Sequence, residues 1–289
     1  MLSIRFIFSN KRQSLLGLLI RASQPFLLST LTLTLTLTLT LGAAEPEPEP
    51  ESARAATLDP FDTSGLDTRL ANVLRNYYRQ NFTDAETWGR IESIRYDGHL
   101  HLAEAAIPFS AFKRKPDLMR VTLNLPHNQR LTLAYDGQDA WRLDTRRSAL
   151  AQDVPEAEVL NFIRDAPTGS HLLFPRQPGK QIELLGITDV GDARVYELRI
   201  TLPDGQIIRS YLDRVSFAEI QQIAFNNVSG DEEVTTFSNF RRIEGIRIAF
   251  VTTLHIDGQQ IHQSRLSGVK VNQGVFPWMF SRPAGEPPR

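Results

Sequence analysis

The sequence predicts a mainly β fold (α+β) in which a meandering antiparallel sheet takes up most of the chain. Three observations carry this. Apolar and polar residues alternate through most of residues 94–271. Turn dipeptides such as Asp136-Gly137, Ser229-Gly230 and Asp257-Gly258 separate the alternating stretches. Helical spacing occurs in only two places.

Residues 1–44 hold a basic stretch up to Arg21, an uncharged apolar run from Pro25 to Ala44, and small residues at Gly42-Ala43-Ala44. The Thr-Leu repeat from Thr30 to Leu41 has the period of a strand. Its basic flank and small-residue end instead make it a signal peptide, with cleavage expected after Ala44. An uncleaved inner-membrane anchor is the alternative, because the run is about as long as a minimal spanning helix. Residues 45–60 form a Glu/Pro-rich linker, extended because alternating prolines exclude helix and sheet ladder alike. A single β-rich domain is expected over 61–289.

That domain opens with a helix, since Leu66, Leu70, Val73, Leu74 and Tyr77 recur at three- and four-residue spacing up to a break near Asn81. A second helix is expected over 156–164, with Pro155 at its first turn and Val159, Leu160 and Ile163 on one face. In the first strand Ile94, Tyr96, Gly98, Leu100 and Leu102 oppose Arg95, Asp97, His99 and His101. Met119, Val121, Leu123 and Leu125 oppose Arg120, Thr122 and Asn124 in the next. Further strands are expected at 130–135, 139–144, 181–189, 194–202, 206–212, 219–225, 233–240, 246–256 and 261–271. One apolar and one polar face per strand imply a sheet wet on one side, with the helices and loop 165–180 covering the other. About ten strands curl strongly, and two short helices leave room for an apolar ligand in the concavity. Solid packing by aromatic side chains is the alternative.

Composition removes several function classes. The chain has 32 basic and 33 acidic residues. Residues 1–44 hold four of the basic ones and no acidic ones, so the remainder carries 28 against 33, a net charge near −5. Such a domain has no electrostatic footprint for nucleic acid. With no cysteine anywhere, disulfides, thiolate metal sites, a cysteine nucleophile and an acylated N-terminal cysteine are excluded together.

Several stretches resemble the periplasmic outer-membrane lipoprotein-sorting carriers, the LolA/LolB-like family. Trp88 to Gly98 is similar to its "W..I.S.R..G" opening, Phe112 to Arg120 to "F..KRPD.MR", and Ala134 to Trp141 to "AYDG..AW". Glu183 to Gly186 with Tyr196 to Leu198, Tyr211 to Asp213, and Phe237 to Ile246 follow in family order. The resemblance spans roughly 65–282 in family order with compatible strand spacing. It implies a strongly curved antiparallel sheet, an incomplete β-barrel, with a helical lid over an apolar cavity. The implied function is non-enzymatic: carrying the acyl chains of lipoproteins, or a related lipidic ligand, through the periplasm. An inner-membrane donor and an outer-membrane acceptor protein would be its partners, the carrier itself a monomer without cofactor. An envelope sensor domain that binds a protein partner is the rival reading.

The cavity candidates are Leu123, Leu133, Tyr135, Trp141, Phe237, Phe250 and Leu254, each of which could equally be plain packing. In the family an arginine before the proline tethers the lid; the matching position is Lys115, with Arg114 one residue earlier. The basic run Lys113, Arg114, Lys115 reads as a lid tether or headgroup contact, with Arg114 and Lys115 the named candidates, or as a solvated turn. His99 and His101, with Glu104 nearby, have a spacing that can bind metal, but on a polar strand face they read as solvated. Ser110-Ala111-Phe112-Lys113 spells a serine–lysine pair outside the helical context that chemistry needs, so no catalytic residue is assigned.

Overall fold

The computed structural model describes residues 58–103 and 105–283. The expected signal peptide, most of the linker, and Glu104 lie outside the described residues. Thirteen strands form one antiparallel sheet: β1 (Ser93–Leu102), β2 (Ala105–Arg114), β3 (Leu118–Leu125), β4 (Gln129–Tyr135), β5 (Ala140–Asp144), β6 (Gln152–Asp153), β7 (Gln181–Val190), β8 (Ala193–Thr201), β9 (Ile207–Asp213), β10 (Glu219–Phe225), β11 (Glu232–Ile243), β12 (Ile246–Ile256) and β13 (Gln259–Val271). Three α-helices accompany it among the described residues: α1 (Thr68–Asn81), the single turn α2 (Thr87–Arg90) and α3 (Glu156–Asp165).

The strand order is β6-β5-β4-β3-β2-β1-β13-β12-β11-β10-β9-β8-β7, two meanders joined where β1 pairs with β13. The sheet does not close, because β6 and β7 are its opposite edges. One consequence is imposed by connectivity. The chain leaves the sheet at one edge and re-enters at the other, so residues 154–180, α3 and the loop behind it, must cross one whole face. That crossing is the lid.

Bulges bend the sheet. The β1–β13 register shifts between Asp97 and Gly98, and others shift at Leu184/Gly186, Glu219/Gln221 and Leu254/His255. Each adds local twist and curl. Gly98 is required at the first: a Cβ there would lie 2.3 Å from the Arg265 carbonyl oxygen.

Helix α1 is started by Asp67, whose carboxylate accepts from the backbone N–H groups of Arg69 and Leu70, a cap worth about 1 kcal/mol. Its buried stripe, Leu70, Val73, Leu74 and Tyr77, faces the sheet, and Asn81 donates to the Phe217 carbonyl in the β9–β10 turn at 3.0 Å.

The two-residue strand β6 and the single turn α2 have no counterpart in the sequence expectation, and two larger features differ from it. Strand β2 has no counterpart among the expected strands, because Pro108 argues against a central strand. Its proline is tolerated because β3 pairs with β2 only from Phe109 onward. The second difference concerns the face expected to be wet. Residues beyond β13, including a 3-10 turn at Pro277–Met279, lie over the outer side of β2–β5. Phe280 is fully buried there with Phe112 and Val275.

Candidate functional site

Cross-strand partners share a face, which sorts the side chains. Leu123 faces Phe109 and Leu131. Val121 faces Ala111 and Leu133, and Met119 faces Lys113 and Tyr135. Lys113 in turn faces Ile94. This is the lid side of the sheet, because the Lys113 ammonium donates to the carbonyls of Asp165 at 2.7 Å and Pro167 at 3.0 Å. Across β1–β4 the lid side is an apolar floor: Leu100, Phe109, Val121 and Leu123 are all at most 2% exposed.

The other meander is different. Leu254 faces Thr235, Thr235 faces Gln222, and Gln222 faces Ser210, so a polar row continues from the apolar floor. Buried Glu219 accepts from Ser210 at 2.6 Å, from Gln222 at 2.7 Å and from Ser170 of the lid loop at 3.2 Å. Buried Glu233 accepts from Asn226 at 2.8 Å and from the Arg164 guanidinium at 3.0 Å. Arg164 also forks onto Asp165 and donates to the Phe225 carbonyl at 2.7 Å.

Polar bonds fasten the lid alongside the buried apolar side chains of Phe162, Ala166, Leu172 and Leu173. Lys113 holds the end of α3 from β2, and Arg164 holds it to β10 and β11. Tyr78 of α1 donates to the Leu172 carbonyl at 2.8 Å. Gln206 donates to the Leu160 carbonyl at 3.2 Å. Glycine at 169 lets the loop lie on the Trp88 indole: a Cβ there would come within 2.8 Å of the ring and of Leu173, at a φ of +103°.

The sequence candidates distribute as follows. Leu123, Leu133 and Tyr135 lie on the apolar floor, and Phe237 and Leu254 on the inner face of β11 and β12, all buried. Phe250, two residues from inward-facing Thr252, is buried with the Arg241 guanidinium 4.2 Å over its ring. Trp141 is on the opposite face, because it pairs with Ala134, which pairs with Arg120. There its indole N–H donates to the Phe280 carbonyl at 2.8 Å, so it packs under the C-terminal segment instead of lining the lid side.

The tether candidates also separate. Arg114 alternates away from Lys113 onto the outer face, pairing with Ser93. Lys115 donates to the Trp88 carbonyl at 2.5 Å and lies 4.3 Å over that indole, so it braces α2, not α3. Burial lowers its pKa. The member of the basic run that bonds to the end of the lid helix is Lys113, not the two singled out as candidates. Alternation would have found it: Lys113 shares a face with Phe109 and Ala111. His99 and His101 face Arg265 and Gln263 on the outer side.

Two small cavities lie beneath the lid loop. A cavity of about 50 Å³ lies between α1, α2 and strands β1 and β12, lined by Tyr77, Trp88, Tyr96, Ser170 and Thr252 among others. A second, of about 10 Å³, is lined by Lys113, His171, Gln222 and Phe237. Ligand pockets usually measure roughly 300–1,000 Å³, and each of these two is far smaller.

One lid lysine sets a pH dependence. Lys180 donates to the Leu173 carbonyl at 2.6 Å, and burial lowers its pKa to about 8. Between about pH 8 and 10 the unfolded chain keeps this proton and the folded chain does not, so stability rises with pH by at most about 3 kcal/mol. Buried Tyr77, Tyr78 and Tyr96 have raised pKa values and reverse the trend above about pH 10, where the unfolded tyrosines ionise first. Urea titrations across this range should show the rise in the wild type and its loss in Lys180→Met.

No protein-family model matches the chain, and no curated protein matches its sequence. Solved structures do. A LolA superfamily protein from Nitrosomonas europaea aligns over 73% of this chain and 96% of its own, with a TM-score of 0.51 at 12% identity. A DUF1329 family protein from Desulfovibrio piger aligns over 73% and 97%, with a TM-score of 0.53 at 11% identity. The open, bulged antiparallel sheet crossed by a helical lid is a LolA-like fold.

Proposed function

We propose that the protein is a non-enzymatic periplasmic carrier that shelters the acyl chains of a lipoprotein or related lipid between the lid and the apolar floor. The observation that carries this reading is the pairing of a largely apolar floor on β1–β4 with a lid to which the polar groups Lys113 and Arg164 bond. Each methylene taken from water onto such a floor is worth about 0.8 kcal/mol, enough to hold a long chain. A lid held by hydrogen bonds to carbonyls can exchange those bonds with water as it opens, which suits a reversible carrier.

Export is supported by the basic–apolar–small pattern of residues 1–44, and the absence of cysteine leaves no acceptor for a lipid anchor. Among the described residues no helix is long and apolar enough to cross a membrane. On this reading a donor protein loads the ligand and an acceptor protein removes it.

Purified protein extracted with organic solvent should yield stoichiometric acylated lipid by mass spectrometry. Leu123→Arg, which puts a guanidinium on the floor, should lose it while keeping the β-type circular dichroism spectrum. Folded wild-type protein that yields no lipid, and that takes up none from vesicles, overturns the proposal.

A further inference from the structure

The interior beneath the lid loop holds hydrogen-bond donors that an apolar chain cannot use. The Trp88 indole N–H is buried with no hydrogen-bond partner, and Trp88 lines the larger cavity. Tyr96, itself buried, lines the same cavity. Lys113, in the smaller cavity, has two lid carbonyls as acceptors. Gly169 lines both cavities, so the lid loop is the partition between them.

When the loop lifts, the partition goes. Lys113 then loses the Asp165 and Pro167 carbonyls and shares one bay with Trp88 and Tyr96. The bay is at one end of the apolar floor: Lys113 pairs with Ile94 and Tyr96 with Ala111, and Phe109, Leu100 and Leu123 follow further along the strands. Buried donors left without acceptors are rare in folded proteins and call for a partner.

We propose that this bay receives the ester carbonyl oxygens at the head of a diacyl ligand, which take the places on Lys113 vacated by the two lid carbonyls while the chains run along the floor. This rests on the carrier reading and names the part of the ligand that is recognised. A site whose donors need acceptor oxygens discriminates against a ligand that lacks them. Ether-linked lipids have the same chains and much weaker acceptors, so the linkage isolates this contribution.

The test compares dipalmitoyl phosphatidylglycerol with its diether counterpart as displacers of a fluorescent fatty acid from the full protein. The wild type should prefer the ester by about tenfold, the effect of one or two net hydrogen bonds. Trp88→Phe and Tyr96→Phe keep their rings, and each should reduce that preference several-fold while leaving ether binding within about twofold. No ester preference in the wild type, or a preference unchanged in both variants, overturns the proposal and assigns the cavities to water. Failure of both lipids to displace the probe sinks the carrier reading itself, a separate outcome.

Discussion

Replacing Arg164 with alanine is expected to lower the free energy of unfolding by about 3–5 kcal/mol, read from the urea midpoint at constant slope. Its guanidinium and the Glu233 carboxylate are each at most 1% exposed and 3.0 Å apart. Asp165, 3% exposed, shares the same guanidinium at 3.0 Å. Desolvating three charges is costly, and further hydrogen bonds offset it: Asn226 on Glu233, the Phe225 carbonyl on Arg164. Removing the cation strands two buried carboxylates, and that, more than the lost attraction, is the source of the penalty. Burial still leaves Arg164 firmly protonated, since the two carboxylates outweigh the desolvation that lowers its pKa. The double variant Arg164→Met/Glu233→Met should lose less than the sum of its singles, because it removes cation and carboxylate together. Additive losses would show that the ion pair does not couple lid to sheet. Amides of α3 should exchange faster in Arg164→Ala than those of β12, since the lid opens before the sheet unfolds.

How far the sequence discloses this arrangement depends on what each residue type can signal alone. The Asp-Gly and Glu-Gly turns locate strand ends, because positive φ is a local demand: Glu244, Gly245, Asp257 and Gly258 all adopt it. Alternation gives each strand its two faces, but which face meets the lid is decided by pairing far along the chain. Arg164 reads as an ordinary basic residue near a helix end; its burial depends on Glu233, in a different meander. The clue available was that Glu233 and Thr235 occupy the same strand face as Phe237. Strand β2 was hidden by Pro108, and with it the inward position of Lys113. At Leu133-Ala134-Tyr135 and Ala140-Trp141 consecutive residues are buried. That is the mark of a sheet covered on both sides, and it points to the C-terminal segment that placed Trp141 away from the lid.

The outer cover leads to the second large effect. Phe280→Ala is expected to cost about 3–5 kcal/mol, the range for truncating a fully buried phenylalanine. Its ring is completely enclosed beside Phe112 and Val275, and its carbonyl accepts the Trp141 indole N–H. Next to it, the Met279 carbonyl accepts from Arg120 at 2.8 Å, with Arg120 also lying 6.0 Å over the Trp141 ring. Loosening Phe280 thus threatens two charge- or indole-donated bonds that close the sheet on this side, and the Trp141 indole proton should lose its slow exchange. The functional consequence differs from that of the floor. Trp141 and Phe280 are separated from the lid side by the thickness of the sheet, so Phe280→Ala should lower the urea midpoint yet leave the lipid bound per folded molecule unchanged. Leu123→Arg should remove the lipid at the floor in a chain that keeps its β-type spectrum, although the guanidinium at this buried position also lowers the urea midpoint. If Phe280→Ala also empties the protein of lipid at temperatures where it remains folded, the two faces are coupled and the outer segment belongs to the site.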